Sequence, residues 1–283
     1  MHTGTKTPRP AAEVVIVGGG VIGSAIACFL TQDDRDVAVT VIERDPSYAC
    51  ASSALSASSI RQQFSSAINI RMSQYGIAFL RDIGERLAVD GERPEIGLVE
   101  PGYLYLATEN GVAVLRENHA VQQAHGVHVE LMPPQRLKAK FPWVSTDGVA
   151  LASHGLADEG WFDGYSVLQA FRKKAISQGV RYVRDEATGF ALDGARIAAV
   201  KLASGAPLHA DVFVNAGGPG RLRSRGGRAS SCPCARAGAA CSASAAPAPA
   251  RLSAGHRPFR HLVSPGRRAV HLRLRASGRG RRG

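Results

Sequence analysis

Apolar residues first gather in a short unbroken run, Glu13-Val-Val-Ile-Val17, without polar alternation, which is the pattern of a parallel strand buried on both faces. The glycine turn Gly18-Gly-Gly-Val-Ile-Gly23 follows, and Ser24-Ala-Ile-Ala-Cys-Phe-Leu30 reads as a helix with small residues near its start. A second apolar strand, Val37-Ala-Val-Thr-Val-Ile42, ends at Glu43. Farther on, Ile68, Met72, Tyr75, Phe79 and Ile83 recur near a helical repeat and predict a helix over about residues 67–87. Residues 98–100 and 103–107 read as strands, the second alternating as an antiparallel strand does, and a helix is predicted over 111–124. Pro133, Pro134 and Pro142 mark a helix-poor connector. Asp163 is placed to cap a helix over 165–177 that Gly179 closes in a C′ position. Strands are predicted at 180–183, 187–192, 197–202 and 212–215, and beyond Gly220 the periodicity stops.

Strand, tight glycine turn, helix, strand and acid stand in the order that a dinucleotide site requires. A lone G-x-G-x-x-G carries little weight, but here it follows a buried strand and opens a helix, and Glu43 lies 20 residues past Gly23. Gly18 permits the tight turn, Gly20 lets the backbone approach a pyrophosphate, and Gly23 lets helix and strand pack closely. The free N–H groups and positive end of the helix then face the phosphates. Glu43 can accept hydrogen bonds from the adenosine ribose hydroxyls and would repel a 2′-phosphate. The bland alternative is a packing turn with a solvated Glu. The fingerprint alone does not choose between NAD and FAD.

Charge changes the picture only when divided along the chain. The formal net charge of +12 suggests a nucleic-acid binder, yet residues 1–220 hold 20 Lys and Arg against all 23 Asp and Glu, a net of −3. Residues 221–283 hold 15 Arg and no Lys, Asp or Glu. Cys28 and Cys50 lie in the body and Cys232, Cys234 and Cys241 in the basic stretch, with spacing that fits neither a zinc site nor a disulfide framework. No apolar run approaches the roughly 20 residues of a membrane helix, and Met1 to Ala12 has no apolar core of a secretory signal. A cytoplasmic location without nucleic-acid partners is the expectation. His119, His125, His128 and His154 are scattered and read as surface or packing histidines, and no catalytic residue or metal site stands out.

The fingerprint and the later Ser52-Ser-Ala-Leu-Ser-Ala-Ser-Ser-Ile-Arg-Gln-Gln-Phe64 resemble the D-amino-acid oxidase, glycine oxidase and sarcosine oxidase family of FAD proteins. Ile60-Arg-Gln-Gln-Phe64, Gly102-Tyr-Leu-Tyr-Leu106, Asp158-Glu-Gly-Trp-Phe-Asp163 and Val214-Asn-Ala-Gly-Gly-Pro219 are most similar to one branch. That branch holds the sarcosine oxidase β subunit and a mitochondrial FAD-oxidoreductase-domain protein of respiratory complex I assembly. The resemblance covers about residues 12–219. It implies an α/β fold, with a Rossmann-like FAD-binding domain at 12–95 and 155–219, an incomplete antiparallel-sheet substrate domain (α+β) at 96–154, and a disordered tail at 220–283. It implies FAD as cofactor, with the pyrophosphate at Gly18, Gly20, Val21, Ile22 and Gly23 and the ribose on Glu43 and Arg44. Ser52, Ser53, Ser58, Ser59 and Ile60 would wrap the flavin side, though composition favours a flexible linker there. Arg61 either supplies positive charge near the flavin or a substrate carboxylate, or is a surface charge. Val183 would stack backbone amides against adenine or be an ordinary core strand residue, and Ala216 and Gly217 would lie beneath the cofactor.

The implied reaction is oxidation of a C–N bond of an amine or amino acid by hydride transfer to flavin. Two other readings stand beside it: a non-catalytic FAD-binding factor for complex I assembly or another hetero-oligomer, and an NAD(P)-binding protein whose basic tail holds nucleic acid. The resemblance ends after Pro219-Gly220, where residues rich in Arg, Ala, Gly, Ser and Pro replace the family's remaining substrate-domain strands and the segment that closes over the flavin. Read one base forward, the codons of residues 257–268 permit the peptide D-P-S-G-T-W-F-R-P-E-G, and those of 270–274 permit F-I-C-G. Both resemble the family's substrate-domain core. The expectation is therefore a frame-shifted or truncated member with little activity.

Overall fold

The computed structural model describes residues 12–194 and 196–218, together with the backbone of a strand at 269–273. Strand β1 (Ala12–Val17), helix α1 (Val21–Asp33) and strand β2 (Val37–Glu43) come first, then strand β3 (Ser59–Ile60), helices α2 (Ala67–Arg81) and α3 (Ile83–Arg86), and strand β4 (Tyr103–Ala107). Helix α4 (Val112–Ala124), strand β5 (Val129–Met132), helix α5 (Pro134–Lys140), and strands β6 (Leu151–Gly155) and β7 (Gly160–Trp161) lead to helix α6 (Gly164–Ser177). Strands β8 (Arg181–Arg184), β9 (Ala187–Asp193), β10 (Arg196–Leu202), β11 (Leu208–His209), β12 (Val212–Asn215) and β13 (Ala269–Arg273) complete the order.

These elements form two compact units. Among the described residues the first holds 12–56, 83–96 and 164–218, and the second 57–82, 97–163 and the strand at 269–273. In the first unit a parallel sheet runs in the order β12-β1-β2-β8. Val15 of the central strand lies between Thr40 and Phe213, and both of its faces are covered, which explains why the run carries no alternation. The small helix residues Gly23, Ser24, Ala27 and Cys28 are buried on α1. Phe29 meets Phe171 of α6 edge to face, with ring centroids 5.8 Å apart. The antiparallel sheet β11-β10-β9 adds Val200 and Leu202 to the core of Val15, Val17 and Ile42. Helix α6 closes as expected: Gly179 has φ +95°, and Val180 N–H returns to the Ala175 carbonyl at 3.0 Å.

The second unit contains an antiparallel sheet in the order β13-β4-β6-β5. Its core is Leu104, Met132, Leu137, Val144 and Ala152, and a separate apolar cluster of Ile70, Val127 and Val129 takes in Phe64 and Val121. The short β3 pairs with β7, joining residues a hundred apart in sequence into one ladder. Residues 57–82 and 155–163, expected from the sequence in the nucleotide domain, group with the second compact unit.

Several local expectations are corrected. The helix expected over 67–87 breaks at Asp82 into α2 and α3, and its buried face is Ile70, Ile77, Phe79 and Leu80. Ile68, Met72 and Tyr75 are 63–65% exposed, because α2 carries a second apolar stripe and the periodicity does not say which one packs. Residues 98–100 form no strand; Val99 makes a lone bridge to Trp161. The connector at 133–142 holds α5, opened by a proline in its first turn, where the missing N–H costs nothing. All five residues of β6 are buried, so its small and polar side chains give no alternation to read. The strand at 269–273 pairs antiparallel with β4 inside a stretch whose composition predicted none.

Ile16 is fully buried at the centre of the parallel sheet, whereas Leu192 is 61% exposed. Ile16→Ala is expected to lower unfolding free energy by about 2–5 kcal/mol, and Leu192→Ala to change it by less than about 0.5 kcal/mol, as read from urea denaturation curves.

Candidate functional site

The glycine turn is built by backbone proximity. Gly18 has φ +98°, its N–H donates to the Ile42 carbonyl at 2.8 Å, and an added Cβ would lie 2.6 Å from the Ala216 carbonyl oxygen. A Cβ on Gly23 would sit 1.9 Å from the Gly18 carbonyl oxygen. These two glycines are therefore required by the fold itself. Gly20 differs: its φ of −61° and ψ of −176° suit any residue, and a Cβ there would meet nothing within 4 Å. Neither backbone nor packing explains it, and the open space above it is what an approaching phosphate needs.

Gly20 is the N-cap of α1 and makes no side-chain cap. The first intrahelical bond runs from Ser24 N–H to the Gly20 carbonyl, so the amides of Val21, Ile22 and Gly23 stand at the positive end of the helix. Glu43 reaches the same turn from the tip of β2. Its Oε2 accepts the Gly19 N–H at 2.8 Å and its Oε1 the Asp45 N–H at 2.8 Å. Each oxygen retains acceptor capacity for a ribose hydroxyl. Ala216 and Gly217 follow β12 beside the turn, tied by Ala216 N–H to the Val17 carbonyl at 2.8 Å. Val183 pairs with Ile42 in the sheet.

Other expected residues lie elsewhere. The Arg44 side chain faces Glu186 at 3.6 Å, both more than half exposed, in a surface pair that contributes little. Ser52 and Ser53 occupy a turn of the first unit, whereas Ser58, Ser59, Ile60 and Arg61 belong to the second. Tyr48 was not anticipated. It is buried in a left-handed conformation at φ 56°, with its hydroxyl 3.3 Å from where a Gly19 Cβ would stand, and burial pushes that hydroxyl up to about 12. A loop tyrosine flanked by Ser and Ala offers no pattern that would have revealed it.

In the second unit, the Arg61 guanidinium lies 4.8 Å from the Phe64 ring centroid and 5.7 Å from that of Tyr103. It lines a cavity of about 340 Å³ with Ser59, Phe64, Asn69 and Met72. Its Nε is buried without a hydrogen-bond partner. Arg61 is therefore a half-buried cation on an aromatic shelf rather than a solvated surface charge. Behind it lies the fully buried Glu159, which the sequence reading quoted only within a motif. Glu159 accepts hydrogen bonds from Gln62 N–H, Gln63 N–H and Gln63 Nε2, and burial, only partly offset by these bonds, pushes its carboxyl up to about 7. Among the described residues no three His, Cys, Asp or Glu side chains are placed to hold a metal ion, and no helix is long and apolar enough to cross a membrane.

A glycine bend against a parallel sheet, with an acid at the end of the next strand, defines a dinucleotide-binding α/β fold. The FAD dependent oxidoreductase (DAO) family model matches residues 13–283, and the chain belongs to that family. FAD is accordingly the cofactor. The chain is 51% identical over 187 residues to "FAD-dependent oxidoreductase domain-containing protein 1" of Xenopus laevis, covering 65% of this chain and 38% of that protein. The Drosophila melanogaster homolog is 36% identical over 179 residues, 63% of this chain and 34% of its own length. The chain thus spans well under half the length of these curated relatives. Among solved structures, L-proline dehydrogenase from P. horikoshii has a TM-score of 0.61 at 28% identity, covering 72% of this chain and 52% of its own. Glycine oxidase from Geobacillus kaustophilus, at 23% identity and TM-score 0.62 over 74% of this chain and 55% of its own, shares the fold.

The three glycines should separate on mutation. Gly20→Val is expected to cost no more than about 1 kcal/mol of stability, the loss of a favourable N-cap, while weakening FAD binding at least about tenfold, as measured by quenching of flavin fluorescence. Gly23→Ala is expected to lower stability itself.

Proposed function

We propose that this protein is an FAD-dependent oxidoreductase that removes a hydride from the carbon beside the nitrogen of a small amine or amino acid, with Arg61 receiving a substrate carboxylate. The observation that carries the reading is the half-buried Arg61 guanidinium on Phe64 and Tyr103 at the wall of the cavity. A cation held there by aromatic faces suits a planar anion. The likeness to an L-proline dehydrogenase, an enzyme named for an amino-acid substrate, supports the same class.

In this reading the pyrophosphate lies over Gly20 against the amides of Val21, Ile22 and Gly23, beside Gly18, and the ribose hydroxyls meet Glu43. Val183 lies toward the adenine, Ala216 and Gly217 lie under the cofactor, and Ser52 and Ser53 flank it. Arg44, engaged with Glu186, is left out of the set. FAD, when bound, supplies the hydride acceptor. The protein's share is to hold the substrate by its carboxylate, to shield the reacting carbon with Phe64, and to admit the amine in its neutral form. No protein base is assigned, since hydride leaves a neutral amine without one.

Anaerobic bleaching of the flavin, which records even a single slow turnover, tests this. Amino acids should bleach it, and Arg61→Gln should raise their half-saturating concentration at least about tenfold, the loss of one charge-assisted hydrogen-bonded pair, while bleaching by a carboxylate-free amine is unchanged. Bound flavin that no amine or amino acid bleaches would count against the reading.

A further inference from the structure

We propose that Glu159 is a positioning residue for Arg61: it fixes the peptide that carries the guanidinium, and its charge sets how strongly that guanidinium attracts a carboxylate. The inference rests on the reading of Arg61 as an anion receptor.

The Arg61–Gln62 peptide unit is held at both ends. Its carbonyl accepts the Ser73 hydroxyl at 2.5 Å, and its N–H donates to Glu159 Oε1 at 2.6 Å. The next amide, Gln63 N–H, donates to the same oxygen at 3.0 Å. Gln63 Nε2 bridges Glu159 Oε2 and the Tyr103 carbonyl, at 2.8 Å each, and its Oε1 accepts the Ser153 hydroxyl at 2.5 Å. The network thus ties the segment bearing Arg61 to β4 and β6. Three donors converge on Glu159, and only a group that accepts on both oxygens satisfies them all.

The fold makes room for this carboxyl. A Cβ on Gly155 would lie 1.8 Å from Glu159 Oε2, and Gly155 has no left-handed backbone to explain it. Glu159 is itself fully buried, so it acts on a ligand only through Arg61. The charged and titratable groups facing it are Arg61 from the 60–64 segment and Tyr105 from β4, whose hydroxyl burial keeps neutral. β6 contributes only Gly155 and, through Gln63, Ser153. Its neighbour Asp158 is occupied by Arg81, which also holds Glu100.

The charge argument fixes a sign. Burial holds the Glu159 proton until about pH 7. Below that pH the Arg61 charge is uncompensated and an anion binds tightly. Above it, the ionised carboxylate opposes the incoming anion, and affinity falls. By linkage, a bound anion must raise the protonated fraction of Glu159.

The test titrates the full-length chain with benzoate, a carboxylate without a C–N bond, by calorimetry about one pH unit below and above neutrality. The native protein should bind about tenfold more weakly at the higher pH, the scale expected for two charges several ångströms apart in a partly buried site. Glu159→Gln should bind equally at both pH values, though more weakly than the native protein at the lower one, because its amide nitrogen cannot accept the donor that Oε2 accepts. Ser73→Ala, which loosens the peptide without altering charge, should weaken binding equally at both. If Arg61→Gln binds as well as the native protein, or the native protein does not bind benzoate, the anion-receptor reading falls and this inference with it. If Arg61→Gln fails to bind while Glu159→Gln keeps the native pH slope, the receptor stands and the role of Glu159 is refuted. Should Glu159→Gln not fold, infrared spectroscopy of the native protein near pH 7 decides: added benzoate must increase the protonated-carboxyl band, and an unchanged band overturns the proposal.

Discussion

The approach of Gly23 to the Gly18 carbonyl oxygen, close enough to exclude a Cβ, is the constraint from which the nucleotide end of the molecule is built. It seats α1 against the end of β1 and leaves the first amides of that helix free at the sheet's carboxyl edge, where ligands bind in folds of this kind. β12 closes the other side, with its Ala216 carbonyl beside Gly18. Glu43 then locks the middle of the turn by accepting the Gly19 N–H. The same carboxylate stiffens the bend and offers oxygens at the place a ribose would occupy.

The second unit solves a different problem, that of holding a cation beside apolar surface without neutralising it. Two aromatic rings support Arg61, and a buried carboxyl behind it holds the backbone instead of forming the usual surface pair. A buried acid costs several kcal/mol unless it is hydrogen-bonded or protonated. Glu159 uses both means: it has three donors and a carboxyl whose proton is retained to about neutrality. Such a group is easier to rationalise as a device that tunes a neighbour than as a source of stability.

What could be read along the chain was what depends on local sterics. The glycine spacing, β1, β2, the Gly179 closure of α6 and the strand at 212–215 follow from backbone geometry and short-range pattern. What could not be read depends on partners far away in sequence. Glu159 bonds a backbone amide 97 residues earlier, and the Arg44 side chain faces Glu186. β6 was silent because burial on both sides erases alternation, and α2 was misread because two apolar stripes compete for one core. The β3–β7 pairing likewise leaves no trace in either segment alone.

The central claim is that the bend from Gly18 to Gly23, with Glu43 across from it, grips the adenosine diphosphate portion of FAD. Amide chemical shifts of the isotope-labelled chain, followed while FAD is added, test it most directly. The account predicts the largest shifts at Gly19 to Gly23 and at the Glu43 end of β2, and adenosine diphosphate alone should reproduce them. If FAD moves amides elsewhere but leaves that turn unperturbed, the account is contradicted.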